Sequence, residues 1–202
     1  MIDEIIQREW EFFQNVQHID GRASCQDDFD TFYKQRKSQF VVFSKELQAS
    51  YLQDLKDYQE IGRNPVMEKY AYMMETSDPE YYVTIQSSLP VIDDLQKNII
   101  QTICEIQVTM REEFNDHYPI LASLSRLTHT AEDEKEDTSF ETYLRGELMT
   151  YSPTTLSLYG KMVLQMLENH KNMTELIMMN TVKEYGYQSL EEAEQKMKER
   201  MI

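Results

Sequence analysis

Apolar residues in this chain recur at three- and four-residue spacing over long stretches, and no segment alternates with the period of two that a half-buried strand shows. Reading these stripes together with helix start and stop signals predicts about ten helices. Their ranges are 2–17, 25–61, 65–76, 79–87, 90–117, 119–125, 139–151, 153–169, 173–185 and 190–201. Proline supports the starts, because its missing N–H costs nothing in the first turn. Pro65, Pro79 and Pro153 each follow a capping residue, Asn64, Asp78 and Ser152, and Pro90 and Pro119 are read as openings too. Capping-box spacing adds Ser24 with Asp27, Thr138 with Glu141, Asn172 with Glu175 and Ser189 with Glu192. Gly21, Gly62 and Gly186 fall where helices end. The expectation is an all-α fold, a multi-helix bundle forming a single domain over residues 1–202.

The apolar stripes carry charges where none belongs. On a helical wheel Glu9 lies in the centre of the stripe of Ile2, Ile5, Ile6, Phe12, Phe13 and Val16. Arg36 and Asp54 fall within the face of Phe29, Phe32, Tyr33, Phe40, Phe43, Leu47, Tyr51 and Tyr58 if 25–61 is one helix. Glu147 falls among Phe140, Tyr143, Leu144, Leu148 and Tyr151. Helix 90–117 reads as burying Ile92, Leu95, Ile99, Ile103, Ile106, Met110 and Phe114. A buried unpaired charge costs several kcal/mol, so these groups should pair, with the Arg36 fork as hub for two carboxylates. The expected constellation is Glu9, Arg36 and Glu147, with Asp54 and Arg145 nearby. It reads either as an ion network fixing helix register or as a ligand site of the kind helical bundles build from inward carboxylates. Arg22, beside a helix start at Ser24, is a further anion-binding candidate.

Composition removes several functions. The 202 residues hold 20 Lys plus Arg against 36 Asp plus Glu, a formal charge of −16, which supplies no basic stripe for nucleic acid or for an anionic membrane surface. A hydrophobic fraction of 41% allows a real core. The longest unbroken apolar run, Tyr70 to Met74, is too short to span a bilayer. Cys25 and Cys104 form no CxxC pair, and the acidic start Met1-Ile2-Asp3-Glu4 is unlike a signal peptide, so a reduced, cytoplasmic address is expected. Residues 128–137, in which five of the six positions 132–137 are acidic, read as a solvated loop.

Recognisable catalytic motifs are missing. No histidine follows a glutamate at the Glu-x-x-His spacing of di-metal bundles, and there is no phosphate loop, nucleophile elbow or EF-hand. No metal site is expected, and no cofactor is indicated. Glu113 and His117 stand four apart but read as surface groups at a helix end, and Cys25 lacks a histidine partner.

The segments Gly21-Arg22-Ala23-Ser24-Cys25-Gln26-Asp27-Asp28, Arg36-Lys37-Ser38-Gln39-Phe40, Glu68-Lys69-Tyr70-Ala71 with Met73-Met74-Glu75, and Thr138 to Leu148 resemble a bacterial domain of unknown function, found mainly in Gram-positive anaerobes and their relatives. The resemblance covers nearly the whole chain, and Thr138 to Leu148 is its most specific block. It implies an all-helical intracellular domain and carries no activity or catalytic residues. The functional expectation is therefore a binding or regulatory module with an internal Glu/Arg site, taking a small molecule or a protein partner and able to self-associate. The competing reading is an enzyme acting on a small polar or anionic molecule, with Glu9 or Glu147 as general base and Arg36 orienting the substrate.

Overall fold

The computed structural model describes residues 1–16, 21–135 and 137–201. Among them are eleven α-helices and no strand. They are α1 (Ile2–Gln14), α2 (Phe29–Phe40), α3 (Lys45–Glu60), α4 (Pro65–Ser77), α5 (Pro79–Ile85), α6 (Asp94–His117), α7 (Pro119–Ser123), α8 (Phe140–Leu148), α9 (Pro153–Glu168), α10 (Met173–Glu184) and α11 (Leu190–Arg200). Gln17, the last residue of the expected first helix, lies outside the described residues, as does Glu136 of the acidic stretch.

Most starts are where capping chemistry puts them. Asn64, Asp78 and Ser152 accept backbone N–H groups ahead of Pro65, Pro79 and Pro153, while Asn172 and Ser189 cap α10 and α11. Three expectations are corrected. Pro90 opens no helix; α6 begins four residues later, where Asp93 and Gln96 form a capping box. The cap of α8 is Ser139, one residue after Thr138. The expected helix 25–61 is a 3-10 turn at Ser24–Asp27 followed by two helices. That break needs no glycine or proline: the Gln48 side chain donates to the carbonyls of Phe40 and Phe43, both at 2.9 Å, and Ser44 caps α3 through the Leu47 N–H.

The acidic loop is also better anchored than a solvated stretch would be. Asp133 accepts from Thr142 Oγ1 at 2.6 Å, from Thr76 Oγ1 at 2.7 Å and from the Ser139 N–H at 2.7 Å, tying the loop to α4 and α8.

The main core joins Ile5 and Ile6 of α1, Phe40, Leu47, Leu55, Ile100, Leu148, Leu156, Tyr159 and Val163. A second cluster of Phe114, Leu121, Val182, Leu190 and Ala193 ties the end of α6 to α7, α10 and α11. α4 lies against α8, α2 against α1 and α10, and α6 against α8, α9 and α10. α8 approaches α4 closely at Gly146, where an added Cβ would stand 2.9 Å from the Lys69 carbonyl oxygen and from Met73 Cγ. The absent side chain lets α8 seat at a depth that brings the next residue, Glu147, beside Lys69.

Candidate functional site

Arg36 of α2 reaches into the bundle and is held by two carboxylates from different helices. Its Nε donates to Glu9 Oε2 at 2.7 Å and its Nη2 to Glu9 Oε1 at 2.5 Å, a bidentate pair with α1. Its Nη1 donates to Glu147 Oε2 of α8 at 3.1 Å and to the Gln39 side-chain oxygen at 2.7 Å. Glu9, Arg36 and Glu147 are 3%, 7% and 4% exposed, so none of these charges is water-screened. The Glu9–Arg36–Glu147 part of the expected constellation is brought together.

Three further groups complete it. Lys69 Nζ of α4 lies 3.6 Å from Glu147 Oε2 and donates to Tyr143 Oη at 2.7 Å. Tyr51 Oη donates to Glu9 Oε1 at 2.7 Å, and Tyr151 Oη donates to Glu147 Oε1 at 3.2 Å. Two cations and two anions thus close on a net charge of zero, with carboxylate lone pairs filled by phenols and the Gln39 amide. The Arg36 guanidinium also stacks 4.7 Å over the Phe40 ring.

Electrostatics follow from this closure. Burial works against an ionised Glu147, but Arg36 and Lys69 outweigh it and hold the carboxyl down at about 2. Burial likewise opposes the Arg36 cation, and Glu147 and Glu9 raise it well above its ordinary value. Burial first, then the neighbouring carboxylates, push Tyr51 and Tyr151 far up, so both stay protonated and serve as donors.

The other candidates are placed elsewhere. Asp54 accepts from the Ser152 N–H at 3.1 Å, at the start of α9, and burial raises its pKa; it is not a partner of Arg36. Arg145 pairs with Glu141 at 2.9 Å and donates to Gln101 at 2.7 Å, toward α6. Arg22 donates to Asp27, to the Gln26 carbonyl and to Gln14, bracing the turn after α1. His117 is exposed and meets Glu175 at 3.2 Å. Among the described residues no group of three or more His, Cys, Asp or Glu is placed to hold a metal ion.

Arg36, Gln39 and Glu147 form part of the wall of an open cleft of about 890 Å³ lined from α2, α6, α7, α8, α9, α10 and α11. Glu9 is not among the lining residues and touches the wall through Arg36. Gln107 and Tyr159, hydrogen-bonded at 2.8 Å, lie in the same wall, as do Arg111 and Arg126. The helical wheel missed the last two. α6 buries Ile100, Ile103, Cys104, Gln107, Met110, Arg111 and Phe114, whereas Leu95 is 69% exposed. The helix is covered on two sides, by α9 and by α8 and α10, so its buried face is wider than a single stripe and is turned toward Arg111. Lys69 was legible in principle, three residues after Val66 and four before Met73 in the buried face of α4.

A family model described as "Protein of unknown function (DUF4125)" matches residues 1–195. The chain belongs to this family. No curated protein and no solved structure matches it. Membership assigns no function, which is left to be argued from the cleft. Among the described residues, no helix is long and apolar enough to cross a membrane.

Proposed function

We propose that this DUF4125 protein is a cytoplasmic binding or regulatory module that takes a small molecule in the cleft between α2, α6, α8, α10 and α11. The observation carrying this reading is that the Arg36–Glu147 pair, the best-organised polar group of the bundle, lies in the wall of an open cavity of about 890 Å³. Ligand sites are typically concave, largely apolar and several hundred Å³ in volume, with a few placed polar groups.

The competing enzyme reading is supported less well. A general base works best with a pKa near the working pH. Glu147, held at about 2 with its oxygens engaged by Arg36, Gln39, Lys69 and Tyr151, is a poor proton acceptor near neutrality. The network therefore serves to shape and rigidify the wall.

The test uses N-phenyl-1-naphthylamine, an uncharged dye that brightens in apolar cavities. The wild type is expected to bind it, and M178W, which fills the cleft from α10, should weaken binding at least about tenfold while keeping the helical circular dichroism. Absence of dye binding, or equal binding by both proteins, would count against the cleft.

A further inference from the structure

Arg111 is 5% exposed, yet among the described residues no carboxylate lies within 4.0 Å of it. Its Nη2 donates to Ser125 Oγ and, at 3.3 Å, to the Arg126 carbonyl, while its Nε has no hydrogen-bond partner. The rings of Phe114 and Phe140 lie 5.7 Å from the guanidinium. Burying a cation this way is costly unless something compensates it. Burial lowers its pKa from the ordinary arginine value, with nothing to offset the change.

Arg126, in the same wall but solvent-exposed, makes no ion pair among the described residues and is engaged there by Thr138 O at 2.8 Å, Thr138 Oγ1 at 2.9 Å and the Tyr143 ring at 4.8 Å. Of the acidic groups that line the cleft among the described residues, Glu147 is consumed by Arg36 and Lys69, and Asp137 is exposed and makes no ion pair with either arginine. A protein of net charge −16 repels anions on average, so a buried and an exposed arginine that share one cavity without an ion pair among the described residues are a local exception with a directional consequence. The lining from α7, α10 and α11 includes the apolar Leu121, Ile177, Val182 and Met197.

We propose that the cleft binds an organic acid, a carboxylate or phosphate head on an apolar body, with the head on Arg111 and Arg126 and the body against α7, α10 and α11. This rests on the cleft being a ligand site and adds the charge and polarity of the ligand. The forked, dehydrated guanidinium of Arg111 supplies the recognition, since arginine pairs such heads bidentately and is more weakly hydrated than lysine.

The experiment is competition against the cleft-bound dye by octanoate, octyl phosphate and octanol, in the wild type and in R111M. In the wild type, at least one acid should displace the dye at a concentration about tenfold or more below that needed for octanol, and the stronger acid identifies the head as carboxylate or phosphate. In R111M that advantage should fall about tenfold. The variant should melt no lower than the wild type, because it removes an unpaired buried charge. Equal displacement by all three competitors in the wild type would overturn the proposal even if R111M does not fold, and so would an acid advantage that survives in a folded R111M. Failure of the dye itself to bind would instead reject the cleft reading, so the two failures are distinguishable.

Discussion

Arg36→Ala should lower the unfolding free energy by about 3–5 kcal/mol, read as a shift of the urea midpoint at unchanged slope. The magnitude comes from what the substitution strands. Glu9 and Glu147 are 3% and 4% exposed, each loses its charge-assisted bonds, and only Lys69, 3.6 Å from Glu147, remains as a cation. The guanidinium also leaves a void over Phe40. Because the cost arises from stranded charge, removing one carboxylate with the arginine should restore part of it. The double variant R36A/E9Q leaves Glu147 facing Lys69 as a neutral pair, and it should be more stable than R36A alone. A midpoint shift for R36A equivalent to less than about 1 kcal/mol, the scale of an exposed ion pair, would contradict the network.

Acid should act through Glu147. Its pKa is depressed from 4.5 to about 2, so it binds a proton more weakly folded than unfolded and contributes stability above pH 4.5 that is lost as pH falls toward 2. Each tenfold weakening of proton binding is worth about 1.4 kcal/mol, so the full contribution is about 3 kcal/mol, of which about 2 kcal/mol should be gone by pH 3. Because Asp133 and Glu141 are also depressed, against the effect of burial, by hydrogen bonds at the loop preceding α8, the wild-type slope alone is not specific. The difference from E147Q is specific. E147Q should be less stable at pH 7, flatter between pH 5 and pH 3, and should converge with the wild type in acid. Parallel curves would show that Glu147 does not titrate between the two states as its partners require.

How much of this was legible in the sequence follows from how each residue is placed. Glu9, Arg36 and Glu147 could be found because each interrupts an otherwise apolar face of its own helix, and burial then forces the three together. Asp54 was drawn into the same set by continuing one wheel through 25–61. The chain stops being helical between Phe40 and Lys45, and the register counted from Arg36 no longer applies to α3. The break is made by the Gln48 side chain and the Ser44 cap, which mimic nothing in the usual Gly and Pro signals. Arg111 was hidden for a different reason: a wheel centred on the most hydrophobic residues of α6 points between its two neighbours, and the residues facing the cleft lie to one side of that centre. Nothing local in the sequence links Arg126 with α6; the loop between α7 and α8 brings the Ser125 hydroxyl and the Arg126 carbonyl to Arg111.

The charge balance of −16 also divides into two kinds of residue. Most acidic groups stand on outward faces, where they keep the molecule hydrated. Glu9 and Glu147 instead are neutralised inside by Arg36 and Lys69, so that among the described residues neither cancels the charge of Arg111, the buried cation of the cleft that has no carboxylate partner.

The central claim, that the cleft is a binding site, is tested most directly by native mass spectrometry of wild-type and M178W protein, each expressed in the organism the protein comes from. The wild type is expected to carry a non-covalent species of a few hundred daltons, the size an about 890 Å³ cleft can hold, and M178W to be free of it, with the oligomeric state read from the same spectra. A wild type of bare polypeptide mass, or the same species on both proteins, would contradict it.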